Sequence, residues 1–100
     1  MIRVIYRWRI DAATGAEFAA WWHEGTIGIR STQPGAMGST LLRSPDDDGC
    51  LIGIARWQDK AHLTAFWERS APLEFPGAVL HSLEILEEID HLTIEGEPSH

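Results

Sequence analysis

Along residues 2–10 apolar and charged side chains alternate, so that Ile2, Val4, Tyr6, Trp8 and Ile10 share one face of an extended chain and Arg3, Ile5, Arg7 and Arg9 the other. The pattern predicts a strand with an aromatic face toward a core and a largely cationic face away from it. The spacing then changes. Phe18, Trp22, Gly25 and Ile29 recur at helical intervals, with Trp21 and Ile27 widening the stripe, and Gln33-Pro34-Gly35 stops it. Thr14 followed by Glu17 reads as a capping box, and Asp11 adds an acidic group near the positive end of the helix dipole. Gly25 and Gly28 each weaken the helix by about 1 kcal/mol relative to alanine, which assigns them to a close approach of the sheet or of a ligand.

Two strand-like runs follow, AMGSTLLRS and CLIGIARW, around Pro45-Asp46-Asp47-Asp48-Gly49, a turn expected to sit in solvent. Asp59 caps a second helix over KAHLTAFWERS with Leu63, Phe66 and Trp67 as its apolar edge, and Pro72 and Pro76 end it. Ser82 to Leu92 is expected as the fourth strand and the acidic residues from 95 onward as a frayed tail, leaving one domain over residues 1–94. The order βαββαβ predicts an α+β, ferredoxin-like fold with a four-stranded antiparallel sheet and both helices on one face. In the third strand Leu51, Gly53, Ala55 and Trp57 lie on one side and Cys50, Ile52, Ile54 and Arg56 on the other, so both faces require cover. Two helices cover one face. A second copy is expected on the other, giving a homodimer. On that outer face Glu84, Glu88 and Asp90 are placed to answer Arg3, Arg7 and Arg9.

Composition narrows the partners. The 100 residues carry a net charge of -7 and a pI near 5.0, which argues against nucleic acid and anionic membrane surfaces. The single cysteine, Cys50, is expected in a strand's buried side. The chain opens on a strand without a leader-like pattern, and no run of about 18 apolar residues occurs, so a cytoplasmic location is expected. Five tryptophans in so short a chain build a core, a subunit seam or a ligand cavity.

Candidate chemistry rests on a few side chains. His23 and His62 lie on the two helices, and histidine titrates near neutral pH, so either is a candidate base. Tyr6, Trp8, Trp22 and Trp67 are candidate cavity walls that pair a flat apolar face with a polar handle, while Trp57 reads as core. Arg43 and Arg56, on the hairpin strands, are candidates for holding a phenolate. No metal-ligand spacing, phosphate loop or catalytic triad is apparent, and neither a metal nor a cofactor is expected.

YRWRI, the helix ending in AWW, PGAMGSTLLRS and IARWQDKAHLTAFW together resemble the antibiotic biosynthesis monooxygenase family, over roughly residues 1–92. The resemblance implies a dimeric α+β barrel of two ferredoxin-like subunits, each with a pocket between helices and sheet. It implies oxygenation of phenolic or quinol-like compounds without metal or flavin. The haem-degrading branch carries an asparagine on its first strand and a histidine after its second helix, where this chain has Tyr6 and Pro76. Quinol-oxidising relatives carry a histidine where this chain has Phe66. The members acting on polycyclic antibiotic precursors surround their substrate with tryptophan, tyrosine, arginine and asparagine; Trp67 and Tyr6 stand in similar places, and this chain contains no asparagine. The expectation is a cofactor-independent monooxygenase of a small aromatic compound with His23, Tyr6 and Trp67 as catalytic groups and Trp8, Trp22, His62 and Phe66 around the substrate. The alternative is a non-catalytic dimeric barrel that binds an aromatic metabolite.

Overall fold

The alternation at the start of the chain becomes a central strand, β1 (Ile2–Arg9), in the computed structural model, which describes residues 1–92. The expected tail at residues 95–100 lies outside the described residues. After β1 come α1 (Gly15–Thr32), the hairpin β2 (Ala36–Ser44) and β3 (Asp47–Trp57), α2 (Lys60–Arg69) and β4 (Val79–Glu87). The sheet order is β2-β3-β1-β4 with antiparallel neighbours throughout, a ferredoxin-like α+β fold. No helix among the described residues is long and apolar enough to cross a membrane.

The helix-facing side of the sheet forms the core. Val4, Tyr6, Trp8 and Ile10 of the first segment, Leu51 and Trp57 of β3, Phe18 and Trp22 of α1, and Leu63 and Phe66 of α2 are all buried. Aromatic packing dominates. Phe18, fully buried, lies 5.4 Å from Trp8, 5.3 Å from Trp21 and 5.2 Å from Phe75 between ring centroids. Such pairs each add about 0.5–1.5 kcal/mol beyond the area they bury. Trp57 packs against Phe66 with ring centroids 5.2 Å apart, and both are buried in the core.

Several local expectations change. The first helix is not opened by the Thr14–Glu17 box: a 3₁₀ turn over Ala12–Thr14 precedes it, Asp11 accepts from the Ala13 amide, and the Thr14 hydroxyl donates back to the Asp11 carbonyl. The stripe on α1 is narrower than expected, since Ile27 is exposed. A side chain at Gly25 or Gly28 would meet nothing nearby; the close approach falls instead at Gly53, beneath the Trp22 ring. β3 begins within the acidic run, so Asp47 is a strand residue, and Cys50 is half-buried on the outer face. β4 runs three residues earlier than expected and ends at Glu87, which leaves Ile89 almost fully exposed.

Outside the core side, the arginines find carboxylates. Arg3 and Arg56 converge on Glu88 at 3.3 and 2.9 Å, and Arg7 lies 3.6 Å from Glu84. Arg9 departs from the ladder. A register shift after Arg7 sets Val79 opposite Arg9, which turns to Asp47 with two hydrogen bonds of 2.9 and 2.6 Å. Asp90 lies beyond the end of β4. The guanidinium of Arg56, with help from Arg3, holds the Glu88 carboxyl down at about 2. A depressed folded-state pKa contributes stability above the ordinary carboxylate range and loses it as pH falls toward that value. Wild-type stability is therefore expected to fall between about pH 4.5 and about 2. In thermal melts across that window Glu88→Gln should be less stable at neutral pH and show a shallower acid decline; parallel curves would contradict the pairing.

Candidate active site

Tyr6 stands where β1 passes under both helices, and hollows open on either side of it. The larger, about 270 Å³, lies between β1, β4 and the segment leaving α2. Its walls include Tyr6, Trp8, Trp67, Ser70, Leu73, Leu80 and Leu83. The chain builds it by simple means: alternation puts Tyr6 and Trp8 on the helix side of β1, the register sets Leu83 opposite Tyr6 and Leu80 opposite Trp8, and α2 ends just after Trp67. The Tyr6 and Trp8 rings are nearly parallel, 16° apart in plane and 6.3 Å between centroids.

The polar side chains bordering this hollow include the hydroxyls of Tyr6 and Ser70. Burial pushes the Tyr6 hydroxyl pKa up, and a hydrogen bond from the Trp67 side chain opposes part of the rise. The hydroxyl is therefore protonated at neutral pH, accepts from Trp67 and keeps its own proton for a ligand. The Trp8 indole nitrogen is buried with no hydrogen-bond partner among the described residues. A donor left so costs about 1–3 kcal/mol. None of the wall residues carries a carboxylate, an amine or an imidazole.

A smaller hollow of about 90 Å³ lies between α1 and the β2–β3 hairpin and shares Tyr6 and Leu73 with the first. Trp22 borders it, its indole N–H donating to Ser39 Oγ at 2.9 Å and its ring standing edge-on to Tyr6 at 5.6 Å.

The expected site residues are thus divided. Tyr6, Trp8 and Trp67 come together around the larger hollow, and Trp22 lies across Tyr6 from it on the smaller one. His23 is on the exposed side of α1 and lines neither hollow. His62 lines neither as well: its ring packs over Gly35, where any Cβ would collide with it, and its Nδ1 is 2.7 Å from Asp59 Oδ1. The carboxylate of Asp59 also caps α2 by accepting from the His62 amide, and these bonds hold its pKa below the usual range. His62 is part of a helix cap. Arg43 lines neither hollow, and Arg56 borders the smaller one while bound to Glu88. The β4 leucines and Ser70 were not expected as walls; the inward alternation of Leu83 was the available signal, whereas the depth of the groove after α2 leaves no mark in the sequence.

Residues 1–74 match the family model for antibiotic biosynthesis monooxygenase. Among solved structures, SnoaB, a cofactor-independent oxygenase from Streptomyces nogalater, superposes with a TM-score of 0.68 at 20% identity, covering 91% of this chain and 95% of that one. The heme-degrader MhuD from Mycobacterium tuberculosis, with two hemes bound in its active site, gives 0.73 at 18% identity, covering 93% of this chain and 100% of that one. At these identities the likeness establishes a shared fold. No curated protein matches the chain.

Proposed function

Because the chain belongs to the antibiotic biosynthesis monooxygenase family, we propose that it is a cytoplasmic, homodimeric oxygenase that oxidises a small phenolic, anthrone- or quinol-type compound with dioxygen, without metal or flavin. One observation carries the reading. The larger hollow pairs flat aromatic walls from Tyr6, Trp8 and Trp67 with the Tyr6 hydroxyl, an arrangement suited to holding an electron-rich aromatic anion out of water. Such an anion passes one electron to dioxygen, the radical pair joins as a peroxide, and loss of water leaves a carbonyl. A ring CH2 and O2 thus become C=O and H2O, with all four electrons supplied by the substrate. Support for the second copy comes from the outer sheet face, where Ile5, Ile52 and Ile54 are half-buried and Leu42 and Leu86 are exposed beside the arginine–glutamate pairs. The bare helix-side face of β4, with Leu80 and Leu83 exposed, marks a further surface left without cover within one chain.

Since the hollow offers donors and no base, its substrate must ionise by giving its proton to water, and the enzyme's part is to stabilise the anion. Oxygen uptake by the chelator-treated, flavin-free protein with a panel of anthrones of different acidity tests this. The pH midpoint of the rate is expected to move with the substrate's own pKa. A midpoint fixed near the histidine range of about 6.5 for all substrates would return the role of base to a histidine. Binding of the same compounds without uptake would establish the non-catalytic alternative.

A further inference from the structure

The smaller hollow carries its own chemistry, which the oxygenation reading does not use. Arg30 stands at its rim on the last turn of α1 and makes no ion pair or hydrogen bond among the described residues. Its stem is folded inward over β2: a Cβ built on Gly38 would be 3.9 Å from Arg30 Cδ. Deeper in, Ser39 Oγ accepts from the Trp22 indole and lies 2.6 Å from Thr26 Oγ1. Two hydroxyls share one proton in that contact, whichever of them donates. The other hydroxyl proton therefore has no acceptor among the described residues. A guanidinium and a spare hydroxyl donor thus border a hollow whose inner walls include Trp21, Trp22 and Ile29.

We infer that this hollow is a second binding site, for a small aromatic carboxylate of the size of phenylacetate. The ring enters the hollow against Trp22 and the carboxylate stays at the rim. The volume of about 90 Å³ accommodates part of a single ring and not a fused system. Arg56 also borders the hollow but is paired with Glu88, so in a chain of net charge -7 a monoanion is admitted at the edge where the Arg30 guanidinium offers its planar fork. Tyr6 is common to both hollows, so the acid sits next to the oxygenation site without occupying it. The inference needs binding alone and stands or falls separately from turnover.

Calorimetric titration of the full chain with phenylacetate and with its neutral isostere phenylacetamide, without any oxidisable substrate, tests it. The acid is expected to bind at least about tenfold more tightly than the amide, in keeping with a charge-assisted pair. Arg30→Gln, on an exposed position that leaves the core untouched, should reduce that preference to within about twofold, and Arg30→Lys should restore part of it. Ser39→Ala should weaken both ligands, the acid more. Equal affinity for acid and amide, no measurable binding of either, or a preference unchanged in Arg30→Gln would each overturn the site. Absence of oxygen uptake with the acid preference intact would count against the oxygenase reading and leave this site standing.

Discussion

Gly53→Val is expected to destabilise the protein by about 3 kcal/mol, at the upper end of overpacking costs, and to lower its melting temperature by roughly 12–24 °C for a domain of this size. Gly53 lies on the helix side of β3, opposite Tyr6 on β1 and Leu41 on β2. An ideal Cβ there would fall 2.6 Å from Cζ2 and 2.9 Å from Cζ3 of Trp22, and closer still to Cη2. The obstruction is a ring pinned by its hydrogen bond to Ser39, with no flexible end to swing away. Any relief must move α1 off the sheet, and that movement would alter both hollows together. Gly28→Ala is the counter-case: the same residue type on α1 has open space around its missing side chain, and alanine should stabilise the helix by about 1 kcal/mol. Thermal melts of the two variants check the contrast; a silent Gly53→Val would mean that Trp22 does not depend on that gap.

The second large effect is on turnover. Tyr6→Phe keeps the ring, its stacking with Trp8 and its edge contact with Trp22, and removes the hydroxyl that in the proposed reaction faces the developing oxyanion. Loss of one such donor typically costs about 10²–10³ in kcat. That reduction is expected here, with KM changed far less, because stacking binds the ground state and the hydroxyl serves the anion. Steady-state oxygen uptake separates the two constants. A fall confined to KM would make Tyr6 a binding wall, and an unchanged kcat would remove it from the chemistry.

Much of the fold was legible because alternation and helical spacing are strong signals at β1, β3 and α1. The faces of β1 are as its sequence implies: Tyr6 and Trp8 are buried toward the helices, and the arginines lie outside with Glu84 and Glu88. What failed was local and had physical causes. β4 is an edge strand whose residues are mostly exposed, so burial did not mark its ends, and a register shift after Arg7 sent Arg9 to Asp47 instead of to β4. The cap of α1 moved because Asp11 and Thr14 closed a 3₁₀ turn first.

The aromatic walls of the larger hollow were legible in the sequence, and the orientation of the histidines was not. Aromatics spaced two apart on a strand must share a face, which brought Tyr6 and Trp8 together, and α2 added Trp67. A histidine on an amphipathic helix points inward or outward by one residue's rotation. His23, next to buried Trp22, falls outward, and His62 is held by the aspartate that caps its own helix. Neither relation shows in spacing alone. The glycine that matters for packing was likewise misplaced to α1, since the sequence shows where a Cβ is missing and not what approaches it.

The central claim is that the larger hollow holds an aromatic anion by its oxygen. A crystal structure of the protein bound to the quinone product of an anthrone substrate tests it most directly. The account predicts the ring system between Tyr6, Trp8 and Trp67, with a ligand oxygen within about 3 Å of the Tyr6 hydroxyl. A ligand bound elsewhere, or seated there with its oxygens turned away from Tyr6, would contradict it.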